Sequence, residues 1–195
     1  MRAFLAVPVL APALAPLAAL RERLVAEVGE VRWAPAASPH ITLHFFGSLS
    51  DAAAARALEA VGPALTGQTP IPLRLQGLGA FPSRGVPRVL WCGVDGDLDA
   101  LRALAQRCRD ALRAAGCAVD DRRWRPHCTI GRPRQPWPAP SRRRWSELAG
   151  ADHPMPRFTV DRAILYESAS DHGAVTHIPR ATVPFAAPAP ARAAR

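Results

Sequence analysis

The chain has 195 residues, 49% of them hydrophobic and 21% charged; at roughly 150 residues per domain this favours one compact domain and excludes wholesale disorder, a collagen repeat and a coiled coil. The 25 basic residues outnumber the 16 acidic ones for a formal charge of +9, and every one of the 25 is arginine, whose planar fork suits phosphate oxygens. An alanine-, arginine- and proline-heavy sequence is equally what a GC-rich genome produces, so charge alone supports an anionic partner only weakly.

The opening apolar stretch superficially suggests a secretory leader. Pro8, Pro12 and Pro16 interrupt it, and Arg21, Glu22 and Arg23 end it short of the roughly 20 residues that a membrane span requires. A first strand is therefore predicted over 2–7, and a cytoplasmic protein is expected. The spacing of Leu17, Leu20, Leu24 and Val28 predicts a helix over 16–29. A strand over 40–47 follows, then an alanine-rich helix from Asp51 to about residue 65, capped by Ser50 or Asp51. Two strands, 71–81 and 87–94, lead into the clearest helix, 97–115, where Leu98, Leu101, Leu104, Cys108 and Leu112 form one stripe and Gly116 supplies the stop. Further strands are predicted over 125–131, 157–167 and 174–185, with a short helix after Ser141 and a disordered tail over 186–195. Consecutive strands without crossover helices favour an α+β fold with antiparallel sheets. Cys92, Cys108, Cys117 and Cys128 form no CxxC pair and are expected as free thiols.

Two segments resemble each other: Pro39-His40-Ile41-Thr42-Leu43 and Pro126-His127-Cys128-Thr129-Ile130. Alternation along a strand sends His40 and Thr42 to one face and His127 and Thr129 to one face, and the preceding prolines support strand placement. One His-x-Thr is common by chance, and a single strand histidine is usually structural. Two copies with matching flanks shift the weight to catalysis. They imply a bilobal, pseudo-symmetric domain over 1–185, with two mainly antiparallel sheets around a central cleft and helices outside. In such a cleft one neutral imidazole serves as general base and one protonated imidazole as general acid. The threonine hydroxyls can donate to phosphate oxygens.

These motifs, with the opening 2–7, the segment 89–94, Gly131-Arg132 after the second motif and the late Ile164-Leu165-Tyr166-Glu167-Ser168, resemble the two-histidine (2H) phosphoesterases. The resemblance is to their RNA 2′,3′-cyclic phosphodiesterases, also known as the 2′-5′ RNA ligase family, and it runs from residue 2 to about 185. It implies hydrolysis of a terminal 2′,3′-cyclic phosphate to a 2′-phosphate without metal or nucleotide cofactor, and reversible 2′-5′ joining in vitro. Carried over by position, His40 and His127 are catalytic, and Thr42, Thr129 and Arg132 bind substrate. The expected partner is an RNA end or nucleotide with a 2′,3′-cyclic phosphate, met by a monomer with no membrane and no metal. His127 is preferred as base and His40 as acid, which the sequence does not decide.

Strict alternation turns Arg132 away from His127, so its role requires the strand to twist or end near Gly131. His44 departs from the family pattern and by alternation shares the His40 face. The segment after Ser168, ending in Val175-Thr176-His177, also departs from it. Arg122, Arg123, Arg125, Arg132, Arg134 and Arg142 to Arg144, interleaved with Trp124, Trp137 and Trp145, read either as an RNA-following strip or as a solvated loop with core tryptophans. Rival readings are a phosphodiesterase of small cyclic nucleotides, a non-catalytic RNA-binding module, and a metal hydrolase using His40 and His44, which lacks a carboxylate to complete a zinc set.

Overall fold

The computed structural model describes residues 1–120, 123–171 and 174–185. The predicted tail, Arg122 and His172 lie outside the described residues. The chain begins with β1 (Arg2–Pro8) and α1 (Leu14–Glu27), which starts two residues earlier than its periodicity predicts and ends where Val28 turns extended. A short β2 (Val31–Trp33) follows; three residues are too few to show alternation, and the sequence did not reveal it. Next come β3 (His40–Ser48) and α2 (Asp51–Leu65), whose first turn is capped by the Ser50 hydroxyl accepting from the Ala53 amide at 3.2 Å. The hairpin β4 (Ile71–Phe81) and β5 (Val89–Gly96) leads into α3 (Leu98–Ala114). There the Asp97 carboxylate accepts from the Ala100 amide at 3.0 Å, and Gly116 closes the far end with φ of 71°. β6 (His127–Pro133), α4 (Ala139–Ala149), β7 (Arg157–Val160), β8 (Arg162–Asp171) and β9 (Ala174–Pro184) complete the described chain.

The α+β class and the antiparallel pairing are as expected. The two expected sheets, however, are one continuous sheet of order β7-β4-β5-β6-β3-β1-β8-β9, with β2 paired to β6. Its halves join where β3 meets β6, through the single register pair Ile41 and Cys128. The strand predicted over 157–167 is also two strands. β7 pairs with β4 at one edge, and β8 pairs with β1 beside the other edge, with only Asp161 between them in the chain. A sheet in which one edge strand and the strand beside the other edge are one residue apart in the chain must curl, so that its two sides approach each other.

Curling gives the sheet an outer face covered by helices. Leu17, Leu20 and Leu24 of α1, Val61 and Leu65 of α2, and Leu101, Leu104 and Leu112 of α3 pack there against Leu5, Val7, Ile41, Leu43, Leu73 and Leu90. Each such buried side chain contributes about 1.5–3 kcal/mol before conformational entropy is counted. The inner face carries a smaller apolar cluster of Phe4, Ala6, Ile164 and Tyr166, on strands β1 and β8 that flank one motif histidine. Among the described residues no helix is long and apolar enough to cross a membrane. The four cysteines are unpaired; burial pushes the Cys128 thiol up to about 12.

Candidate active site

The pair Ile41 and Cys128 in the antiparallel β3/β6 ladder has a direct consequence for the two motifs. Moving one residue outward on each strand sets His40 opposite Thr129 and Thr42 opposite His127, so the motifs are related by a local two-fold. Ile41 and Cys128 themselves point into the core, both with no exposed surface. The two histidines are diagonal neighbours on the inner face, a relation that spaces Cα atoms by about 7–8 Å. That spacing admits one phosphoryl group between two imidazoles.

Each ring is held in the same way. His40 Nδ1 donates to the Ser38 carbonyl at 2.7 Å, and His127 Nδ1 donates to the Arg125 carbonyl at 2.7 Å. A carbonyl only accepts, so the proton sits on Nδ1 in both neutral rings and Nε2 is left for a ligand. Aromatic neighbours fix the ring planes: Phe4 stacks on His40 at 4.6 Å, and Phe81 meets His127 edge-on at 5.1 Å. Burial lowers the pKa of both. His40 falls to about 4, with the nearby His177 and His127 imidazoles adding to the effect against the Ser38 hydrogen bond, and His127 is lowered by burial with Arg132 reinforcing it.

Two adjoining chambers, of about 530 and 550 Å³, share Thr42, Phe45 and Arg132. His40 and Thr129 line the first and His127 the second. The expected site residues, His40, Thr42, His127, Thr129 and Arg132, therefore border one cleft.

Arg132 reaches it through an irregularity that alternation does not foresee. Along β5/β6 the register steps from Trp91 and Thr129 to Leu90 and Gly131, leaving Ile130 as the extra residue of a bulge. Ile130 and Gly131 are both buried in succession, and Arg132 emerges on the side of Thr129. Gly131 is required there for space, because a Cβ would lie 2.7 Å from Val31 Cγ1 and 3.1 Å from the Trp33 ring of β2.

A second bulge corrects the expectation for His44. The β1/β3 register skips Leu43 and then Phe46, pairing Leu5 with His44 and Phe4 with Phe45. His44 is consequently buried at 4% exposure, packs on Phe46 at 4.6 Å and borders the chamber of His127 rather than that of His40, whereas Phe45 stands exposed in the cleft at 49%. His40 and His44 thus occupy separate environments, which removes the ligand pair of the metal-hydrolase reading. Among the described residues no group of three His, Cys, Asp or Glu side chains converges to hold a metal ion.

The tryptophan-arginine strip is likewise revised. Trp137 and Trp145 are core residues at 3% and 4% exposure, and Arg144 Nε donates to Glu27 at 2.9 Å, so this part of the strip does not face the cleft. Trp124 is half-buried, its Nε1 donating to the Thr42 carbonyl at 2.9 Å, and Arg123 and Arg125 line the chamber of His127. The cleft also holds residues for which the sequence offered no role: Phe45, Arg2, Arg32 and His177. His177 meets the His40 ring edge-on at 5.0 Å, and its Nδ1 is hydrogen-bonded to the Ser38 hydroxyl at 3.2 Å. Only the pairing of β9 with β8 and of β1 with both β8 and β3 brings it there.

Comparison with known proteins agrees with this architecture. A Thermus thermophilus protein superposes with a TM-score of 0.77 at 22% identity, over 94% of this chain and 97% of that one. E. coli LigT complexed with 3′-AMP superposes with a TM-score of 0.74 at 22% identity and the same coverage; at these identities the likeness concerns the fold. Proteins named RNA 2′,3′-cyclic phosphodiesterase are more similar in sequence. The one from Archaeoglobus fulgidus is 32% identical over 65% of this chain and 70% of its own length. The one from Thermotoga maritima is 27% identical over 86% and 87%. The match to the Aeropyrum pernix relative, at 37% identity, spans about half of each protein, 48% of this chain and 52% of that one. The sequence profile of the 2′-5′ RNA ligase superfamily matches residues 8–172, which include both cleft strands β3 and β6, and the chain belongs to that superfamily.

Proposed function

We propose that this protein is an RNA 2′,3′-cyclic phosphodiesterase, a phosphoric diester hydrolase that opens a terminal cyclic phosphate to a 2′-phosphate. The observation that carries this reading is the two-fold arrangement of His40 and His127, each with its Nδ1 proton fixed by a backbone carbonyl and its Nε2 left for a ligand. In the reaction His127 Nε2 takes a proton from water as the oxygen forms a bond to phosphorus. The bond from phosphorus to the ribose 3′ oxygen breaks, and His40 Nε2 delivers the proton that this oxygen needs. Each transfer is worth about 10² to 10⁴ in rate. Thr42 and Thr129 donate to the non-bridging oxygens, and Arg132 stabilises the charge growing on them. The free site holds both imidazoles neutral; a bound phosphodiester anion raises their proton affinity and charges the acid when substrate is present. A 5′-hydroxyl replacing water in the same step forms a 2′-5′ linkage, so the reading includes reversible ligation. The relatives' names support RNA as the substrate class.

Hydrolysis of a short RNA ending in a 2′,3′-cyclic phosphate, carried out in ¹⁸O-labelled water, tests it. The expected product is a 2′-phosphomonoester with one ¹⁸O on phosphorus. A 3′-phosphate product, or turnover confined to small cyclic nucleotides, overturns the assignment.

A further inference from the structure

The reacting phosphate is already served by two imidazoles, two hydroxyls and Arg132, yet the same chamber carries two more arginines. Arg32 of β2 sits directly opposite Arg132 of β6 in the ladder. Like charges placed opposite one another across a sheet are destabilising. Arg2 of β1 reaches the chamber beside Phe45, its guanidinium 5.7 Å from the centre of that ring. Among the described residues lining this chamber there is no carboxylate to offset the three cations. Their mutual repulsion shows in Arg132, whose affinity for its proton is lowered by burial and then by Arg32 and Arg2. Such a cluster is relieved by an anion, and one phosphoryl group held between the histidines leaves Arg2 and Arg32 without one.

We propose that Arg2 and Arg32 form a second anion subsite, taking a phosphate on the 5′ oxygen of the terminal nucleotide, with Phe45 as the apolar face beside it. In an RNA that phosphate is the linkage to the preceding nucleotide, so the subsite selects an oligonucleotide end over a nucleoside cyclic phosphate. The inference rests on the reading of the cleft as a cyclic phosphodiesterase site. Phe45 strengthens it, because an exposed aromatic beside a guanidinium suits a ligand with both a phosphate and a base.

Calorimetric binding of three product-like ligands separates the possibilities: a nucleoside 2′-monophosphate, a nucleoside 2′,5′-bisphosphate, and a dinucleotide ending in a 2′-phosphate. The wild type is expected to bind the bisphosphate and the dinucleotide at least tenfold more tightly than the monophosphate. In R2Q and R32Q that preference should shrink to about threefold or less, while R143Q on α4, which removes the same charge outside the chamber, should keep it. Equal affinity for all three ligands in the wild type, a preference that survives R2Q and R32Q, or an equal loss in R143Q overturns the subsite. A dinucleotide that gains while the bisphosphate does not also overturns it, because the gain then comes from the second nucleoside. Turnover of a short RNA ending in a 2′,3′-cyclic phosphate by the wild type, measured alongside, distinguishes failure of the subsite from failure of the phosphodiesterase reading: the first leaves this turnover present, and the second abolishes it.

Discussion

His40 shows how much a single side chain owes to its surroundings. Stacked on Phe4, flanked by His177 and anchored by the Ser38 carbonyl, it has its pKa lowered by burial to about 4. His127 is lowered as well. A mechanism that requires one neutral and one protonated imidazole therefore starts from a free enzyme in which both are neutral at neutral pH. The expected outcome is that kcat/KM, which reports the free enzyme, falls about tenfold per pH unit above pH 6.5, as the singly protonated form grows scarce. A kcat/KM flat to pH 8 contradicts this. At this scale alternation correctly foresaw His40 with Thr42 and His127 with Thr129. It failed at His44 and Arg132, because each lies beyond a bulge and one extra residue reverses the phase of everything after it. Gly131 marks the neighbourhood of the bulge in β6, but nothing in the residues around Leu43 marks the one in β3, which shows only in the register with β1.

Among the elements, β2 has the largest effect for its length. Its three residues pair with β6 past the bulge, bring Arg32 opposite Arg132 and lay Trp33 over Gly131. Gly131→Ala is expected to push β2 off β6, costing about 1–3 kcal/mol by overpacking and lowering turnover more than tenfold through misplaced Arg132. Thermal denaturation and kcat/KM of the variant check both effects, and a variant with wild-type stability and turnover contradicts the role given to this contact. The helices α1, α2 and α3 were legible because each buries a periodic stripe of its own, as Leu101, Leu104, Cys108 and Leu112 do in α3, whereas α4 buries Trp145 without such a stripe. β7 and β8 were not legible as two strands, since the run 157–167 has no breaker but Asp161, and only the curl of the sheet divides it.

Over the whole molecule, one curled sheet explains why motifs 87 residues apart in the chain, at His40 and His127, lie side by side. The arrangement also makes stability depend on pH. His40 binds its proton with a pKa near 6.5 in the unfolded chain and about 4 in the folded one, so the unfolded state takes up more protons between those values. Stability is therefore intact above pH 6.5 and is lost as pH falls towards 4, by about 2 kcal/mol once the ring's partial exposure is allowed for. His40→Gln should remove that share of the loss in denaturant melts at pH 7 and pH 4.5; an unchanged difference between the two pH values contradicts it. The central claim, that two imidazoles open a cyclic phosphate, is tested most directly by turnover of a short RNA with a 2′,3′-cyclic end in EDTA, comparing wild type with His40→Ala and His127→Ala. The account predicts an active wild type and a loss of at least about 10² in kcat in each variant, with folding retained. Full activity in either variant, or a wild type silenced by EDTA, contradicts it.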